Sequence, residues 1–237
     1  MSFSRGLLDT AEPYMRSQVK KPFLQGLIVG DLPIECFQYW LCVDYPYLKN
    51  FIKVCALGIL KADSPIDVAV FLRHVENVQA EMLDHEKHAN NTGLTQEDLI
   101  SQTMGPLKYS YTRHQLASAY HGSLGDVQAA ILACQWGYGE AVKRLLDENS
   151  IQEDNLYKEW FAFHSDPAHR ADLEQALDLL DRQASISTDG QRKNMAKIFM
   201  ISVQHETMLW DEYYNMRKWE TYPSPVGVST DKNNFSE

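Results

Sequence analysis

Apolar residues recur along this chain at steps of three and four, and no run alternates residue by residue as a half-buried strand would. The spacing predicts helices. The first runs from Ser4 to about Lys20, and a short turn, Gly26 to Asp31, leads to a second that starts at Leu32-Pro33 and ends near Leu60. Proline suits a first helical turn because its missing N–H would have no partner there. Ser64-Pro65 opens a third helix with serine as cap, and Asn90-Asn91-Thr92-Gly93 closes it. Thr95 caps a short helix to Ser101, and further helices are predicted at about 106–121, 124–148, 154–164, 168–185 and 190–219. Short connections of this kind join neighbouring helices of a bundle. No repeat or linker divides residues 1–222, so the chain reads as one all-α, single-domain helical bundle. From Pro223 to Glu237 it turns small and polar, and that tail reads as disordered.

The informative positions are polar residues on stripes that should be apolar, because a buried charge costs several kcal/mol unless it is paired or its pKa shifts. The second helix gives the stripe Phe37, Leu41, Asp44, Leu48, Phe51, Cys55 and Ile59, with Asp44 in its middle and Tyr47 three residues on. Asp44 is then either a core acid bonded to a tyrosine or backbone group, or a carboxylate aimed into an aromatic pocket to hold an amine or amidine. The helix at 124–148 stacks Cys134 and Tyr138 on its inward face, where both are ordinary core material. The last helix gives Met195, Phe199, Ser202, Glu206, Leu209 and Tyr213, so Glu206 repeats the anomaly of Asp44. Two acids and a thiol on the inward faces of three helices describe a pocket inside the bundle.

Composition narrows the chemistry. Lys+Arg number 22 against 32 Asp+Glu, a net charge of −10, which is the wrong sign for a surface that must neutralise phosphates. No nucleic-acid partner is expected. The longest strongly apolar stretch, Val54 to Leu60, falls far short of the roughly 20 residues that span a bilayer. The N-terminus lacks the apolar core of a secretory signal, so a cytoplasmic chain without a membrane contact is expected. The four cysteines form no CxxC pair and are expected as free thiols. No Glu-x-x-His pair of a di-iron bundle occurs, and Glu81 with His85 reads as an intrahelical hydrogen bond supporting the core. No metal or cofactor is expected.

Five segments in register then resemble one family. They are Phe37-Gln38-Tyr39-Trp40-Leu41-Cys42-Val43-Asp44-Tyr45-Pro46-Tyr47-Leu48, Ala80 to His85, Tyr109 to His114, Cys134 to Glu140, and Ile201 to Trp210. Each is weak alone; in this order and spacing, over roughly residues 1–220, the chain resembles the TenA/thiaminase II (TENA/THI-4) proteins with an active-site cysteine. The resemblance implies a haem-oxygenase-like helical bundle without haem, assembled as a homotetramer. It also implies a pyrimidine substrate, aminomethylpyrimidine or thiamin, whose amino or thiazole group is replaced by water to give hydroxymethylpyrimidine. In that reading Cys134 is the nucleophile and Glu206 the acid/base at a ring nitrogen. Asp44 accepts from the 4-amino group, Tyr111 and Tyr138 bring hydroxyls near the thiol, and Tyr47 forms an aromatic wall. The chain places His164 where the family often has tyrosine, on the leaving-group side; a role for Glu140 stays open. Two other readings also stay open: a pyrimidine-binding regulator without catalysis, and an oxidoreductase on the same bundle.

Overall fold

The computed structural model describes residues 2–220, which form ten helices and no strand. They are α1 (Phe3–Gln18), α2 (Pro22–Val29), α3 (Ile34–Lys61), α4 (Pro65–Asn91) and α5 (Gln96–Ser101), followed by α6 (Pro106–His121), α7 (Leu124–Glu148), α8 (Lys158–His164), α9 (Pro167–Ser185) and α10 (Asp189–Tyr214). The predicted tail from Pro223 lies outside the described residues. Several starts follow the expected caps: Ser64 accepts from the Asp67 N–H, and Thr95, Ser123 and Thr188 each close a reciprocal capping box.

Three boundaries differ from the periodicity. The predicted turn at Gly26–Asp31 is largely helix: α2 buries Phe23, Leu24, Leu27 and Ile28 and stops at Gly30, whose φ of 89° puts it in the left-handed region open to glycine. α8 starts at Lys158, four residues later than expected, because Asn155 is used to tie the preceding loop to α2. Its amide donates to the Leu27 and Ile28 carbonyls, and its oxygen accepts from the Tyr157 N–H. α10 ends at Tyr214, and Trp219, expected inside it, instead donates its indole N–H to the Met104 carbonyl.

α7 is the central helix. From Leu124 to Ala133 every residue is buried, and Ala129, Ala130 and Ala133 keep its girth small enough for neighbours to close on several sides. α10, α9 and α6 pack along it, while α3 lies against α4 and α6. Glu212 of α10 ties the start of α6 down, accepting from the Leu107 and Lys108 N–H groups at 2.7 and 3.1 Å. A carboxylate suits this position because the first N–H groups of a helix lack internal partners. Gly105 makes the approach possible, since a Cβ there would sit 2.6 Å from the Glu212 Oε1. The start of α6 is thereby fixed against α10.

Candidate active site

A cavity of about 530 Å³ opens beside α7 and is walled by Cys134, Tyr138 and Glu140 of α7, Glu81 of α4 and His164 of α8. Asp44, Tyr47, Tyr111 and Glu206 lie deeper, buried behind that wall. Cys36, Cys42 and Cys55 are buried, and Cys134 alone among the thiols keeps access to open space. All seven residues singled out from the sequence thus belong to one region.

Asp44 does not bond to Tyr47. Its Oδ1 lies 2.5 Å from the Lys108 ammonium and its Oδ2 lies 3.2 Å from His85 Nε2. The other ring nitrogen of His85 lies 2.9 Å from the Glu81 carbonyl oxygen. Both nitrogens therefore lie near acceptor oxygens, and the Asp44 carboxylate raises His85 in favour of the imidazolium against the cost of burial. Burial alone would raise Asp44 and lower Lys108, but their mutual attraction, with His85, overrides it and keeps all three charged. Lys108 also sits 3.7 Å over the centre of the Tyr47 ring, a cation–π contact that fixes its stem.

The thiol sits in a ring of hydroxyls and acids. Tyr47, Glu206, Glu81 and Lys108 lie close enough to the Cys134 sulfur to shift its pKa, Tyr111 stands in the same relation to Glu206, and the Tyr47 hydroxyl accepts from the Gln115 amide at 3.1 Å. Tyr47 and Tyr111 stack nearly parallel at 5.7 Å, while the Tyr138 hydroxyl accepts from the Trp40 indole at 3.4 Å. Tyr47 thus adds to the aromatic wall the sequence suggested a hydroxyl held in place by Gln115. Burial pushes the thiol well above its ordinary range, with Glu206 and Glu81 pushing the same way; Lys108 and Tyr47 pull it back. The resting sulfur is a neutral thiol that needs a partner to take its proton. His164 is pulled down to about 3 by burial, so a neutral imidazole faces the cavity.

Burial likewise raises Glu206 to about 7, Lys108 working against it. Asp44 of α3, Lys108 and Tyr111 of α6, Cys134 and Tyr138 of α7 and its neighbour Tyr213 face it from the surrounding helices. Between the ordinary 4.5 and that value the folded chain holds a proton the unfolded chain has released, so stability falls as pH rises. Glu206→Gln removes this loss. The variant is expected to gain stability over the wild type as pH passes from about 5 to 8, by on the order of 3 kcal/mol if the full shift is recovered. Denaturant midpoints of both proteins across that range measure it, and a pH-independent difference would refute the assignment.

The sequence reading misses Lys108 and gives Glu81 a core-supporting role in place of a cavity-facing one. Lys108 heads a buried stripe, Lys108, Tyr111, Thr112, Gln115 and Ala119, on which a lysine is as anomalous as an aspartate. Glu81 and His85 do share a turn, but the bond between them uses the Glu81 backbone carbonyl; the Glu81 side chain faces the cavity. Oxygens of Asp44 and Glu81 and a His85 nitrogen lie within 4.8 Å of one another, a spacing also found in metal sites, although Asp44 already holds two cationic side chains. Glu140, left open before, bonds Arg144, which also grips Glu12 of α1, so it belongs to an ion-pair network at the cavity rim.

An all-α bundle with a cavity-facing thiol near a buried glutamate and tyrosines is the arrangement that the resemblance to TenA-like helical proteins implies. The chain belongs to the TENA/THI-4/PQQC family, which it matches over residues 8–216. A relative from Halalkalibacterium halodurans named aminopyrimidine aminohydrolase is 28% identical over 220 residues, spanning 92% of this chain and 98% of the relative. The crystal structure of a TenA family transcription regulator from Silicibacter is 27% identical, with a TM-score of 0.80 over 88% of this chain and 94% of the other. A domain from Shewanella denitrificans with a haem-oxygenase-like fold superposes with a TM-score of 0.70 at 15% identity, over 91% and 93% of the two chains. The fold is haem-oxygenase-like.

Proposed function

We propose that the chain is a cysteine-dependent aminopyrimidine aminohydrolase of thiamin salvage. It replaces the substituent on the methylene of a 4-amino-2-methylpyrimidine with water, giving hydroxymethylpyrimidine. The observation that carries the reading is the neutral Cys134 thiol at a cavity wall with a buried carboxyl beside it, Glu206, raised to about 7. Such a pair supplies a nucleophile and the group that takes its proton. Cys134 adds to the ring beside the methylene-bearing carbon as Glu206 moves the thiol proton to a ring nitrogen. Electrons returning through the ring expel the leaving group; water adds to the exocyclic methylene, the ring proton returns and the thiol departs. Asp44, held ionised by Lys108 and His85, accepts from the 4-amino group, and each of its oxygens keeps a free lone pair for this. Tyr47 steadies the sulfur, Tyr111 steadies Glu206, and Tyr138 and His164 flank the leaving group.

The family resemblance supports a cytoplasmic homotetramer, and exposed Leu60, Ile66, Leu83 and Tyr120 offer apolar material for subunit contacts. Among the described residues no helix is long and apolar enough to cross a membrane. Incubation with aminomethylpyrimidine, and separately with thiamin, is expected to yield hydroxymethylpyrimidine from both, faster from the amine. If neither is turned over while the pyrimidine still binds, the chain is a binder and the hydrolase reading fails.

A further inference from the structure

The thiol has a second carboxyl beside it. Glu206 reaches Cys134 from the buried side, whereas Glu81 projects from α4 into the cavity that a leaving group must cross. No hydrogen bond or ion pair among the described residues engages the Glu81 carboxylate, although protein surrounds it. Charged groups face it from several helices: Asp44 of α3, Asp84 and His85 of α4 and Lys108 of α6, with the Cys134 thiol of α7 across the cavity. The Lys108 and His85 cations are already committed to Asp44, which leaves Glu81 as an acid without a counter-charge of its own. An unpartnered carboxyl on the open side of a nucleophile is placed to take a group that arrives with the substrate.

On the reading of the site as an aminopyrimidine hydrolase, we propose that Glu81 is the acid–base group for the departing amine and the incoming water, separate from Glu206 at the ring. The steps balance without any further reactant. The amine binds against Glu81 with one proton between them, on nitrogen or on the carboxyl. Either way, breaking the methylene–nitrogen bond with electrons from the thiol-adducted ring releases neutral ammonia and leaves Glu81 ionised. Water then takes the vacated place, gives its proton to Glu81 and bonds through oxygen to the methylene carbon. Glu81 ends protonated, and an amine bound at the next turnover shares that proton, or passes its own to solvent if it arrives charged.

Burial, and then the Asp44 carboxylate, raise Glu81 above the ordinary range, so it can hold or release a proton near neutrality. A structural acid has no need of this; the neighbouring Asp84 bonds His88 and is lowered instead. Two carboxyls near one thiol, one on the cavity wall and one buried, thus divide the proton traffic, one at the ring and one at the leaving group.

The two leaving groups make the division measurable. Ammonia must depart with a shared proton, whereas the cationic thiazolium of thiamin departs as a neutral ring and takes none. Single-turnover release of ammonia from aminomethylpyrimidine and of thiazole from thiamin should be followed at saturating substrate in wild type, Glu81→Gln and Glu81→Asp. Glu81→Gln is expected to slow ammonia release about 10²–10³-fold, the span for a positioned acid/base, and thiazole release by less than about tenfold. Glu81→Asp, which keeps the proton-carrying group on a shorter stem, should regain part of the ammonia rate. Equal losses on both substrates, no rescue by aspartate, or an unchanged ammonia rate would each overturn the proposal. A wild type inert to both substrates would overturn the hydrolase reading itself, an outcome distinct from an active wild type with equal losses.

Discussion

Cys134→Ser is expected to lower kcat/KM on aminomethylpyrimidine by about 10⁴-fold or more, with the fold and the pyrimidine affinity retained. The hydroxyl is smaller than the thiol and occupies the same place between Tyr47 and Glu206, so packing changes little. The nucleophile changes greatly. A serine hydroxyl is far less acidic than a thiol, and a carboxyl titrating at about 7 is too weak a base to share its proton in the attack. Oxygen is also the poorer partner for reversible addition to an aromatic ring. Hydroxymethylpyrimidine production measures the loss, and ligand-induced thermal shift measures the retained binding. Near-normal turnover by the serine variant would remove Cys134 from the mechanism, and loss of binding along with turnover would make it a positioning residue.

Asp44 and Glu206 could be picked from the sequence because burial penalises acids on an apolar stripe whatever surrounds them. Cys134 and Tyr138 carry no such penalty; their periodicity says core, and the motif order alone singles them out. Lys108 went unread for a different reason. A lysine near a helix start is ordinarily a solvated cation whose stem covers apolar surface, and only the tertiary approach of α3 turns this one inward. Glu81 shows the limit of spacing most plainly. An i, i+4 pair fixes which side chains share a face, but the imidazole chose the backbone carbonyl over the carboxylate, and no sequence period encodes that choice. Similarly, α2 is eight residues with glycine in its interior, too short to display a period. Elements long enough to repeat their pattern, α6 and α7, begin and end where predicted. The hidden parts are those decided by side-chain partners across helices.

The buried charges set the second large effect. Lys108→Met leaves Asp44 with His85 as its one cation in a site only 2% exposed, and removing one partner of such a pair costs about 3–5 kcal/mol. That is a large share of the roughly 5–15 kcal/mol that holds a typical protein folded. Asp44→Asn is expected to cost at least as much, because the Lys108 ammonium and the His85 imidazolium are then both buried without a counter-charge and the amide has one oxygen to accept from the two of them. The double variant, Asp44→Asn with Lys108→Met, should be more stable than the two losses added together, with a coupling of about 2–3 kcal/mol. Urea midpoints for the four proteins give that figure, and strict additivity would mean that the ammonium and the carboxylate do not interact. Activity should not follow stability back. The double variant recovers packing but has neither a carboxylate for the 4-amino group nor the cation that draws the thiol towards ionisation, so its turnover should stay near that of Asp44→Asn. A charged pair that two neutral residues could replace at little cost in stability fits the proposed function, in which the carboxylate meets the substrate and the ammonium draws the thiol towards ionisation.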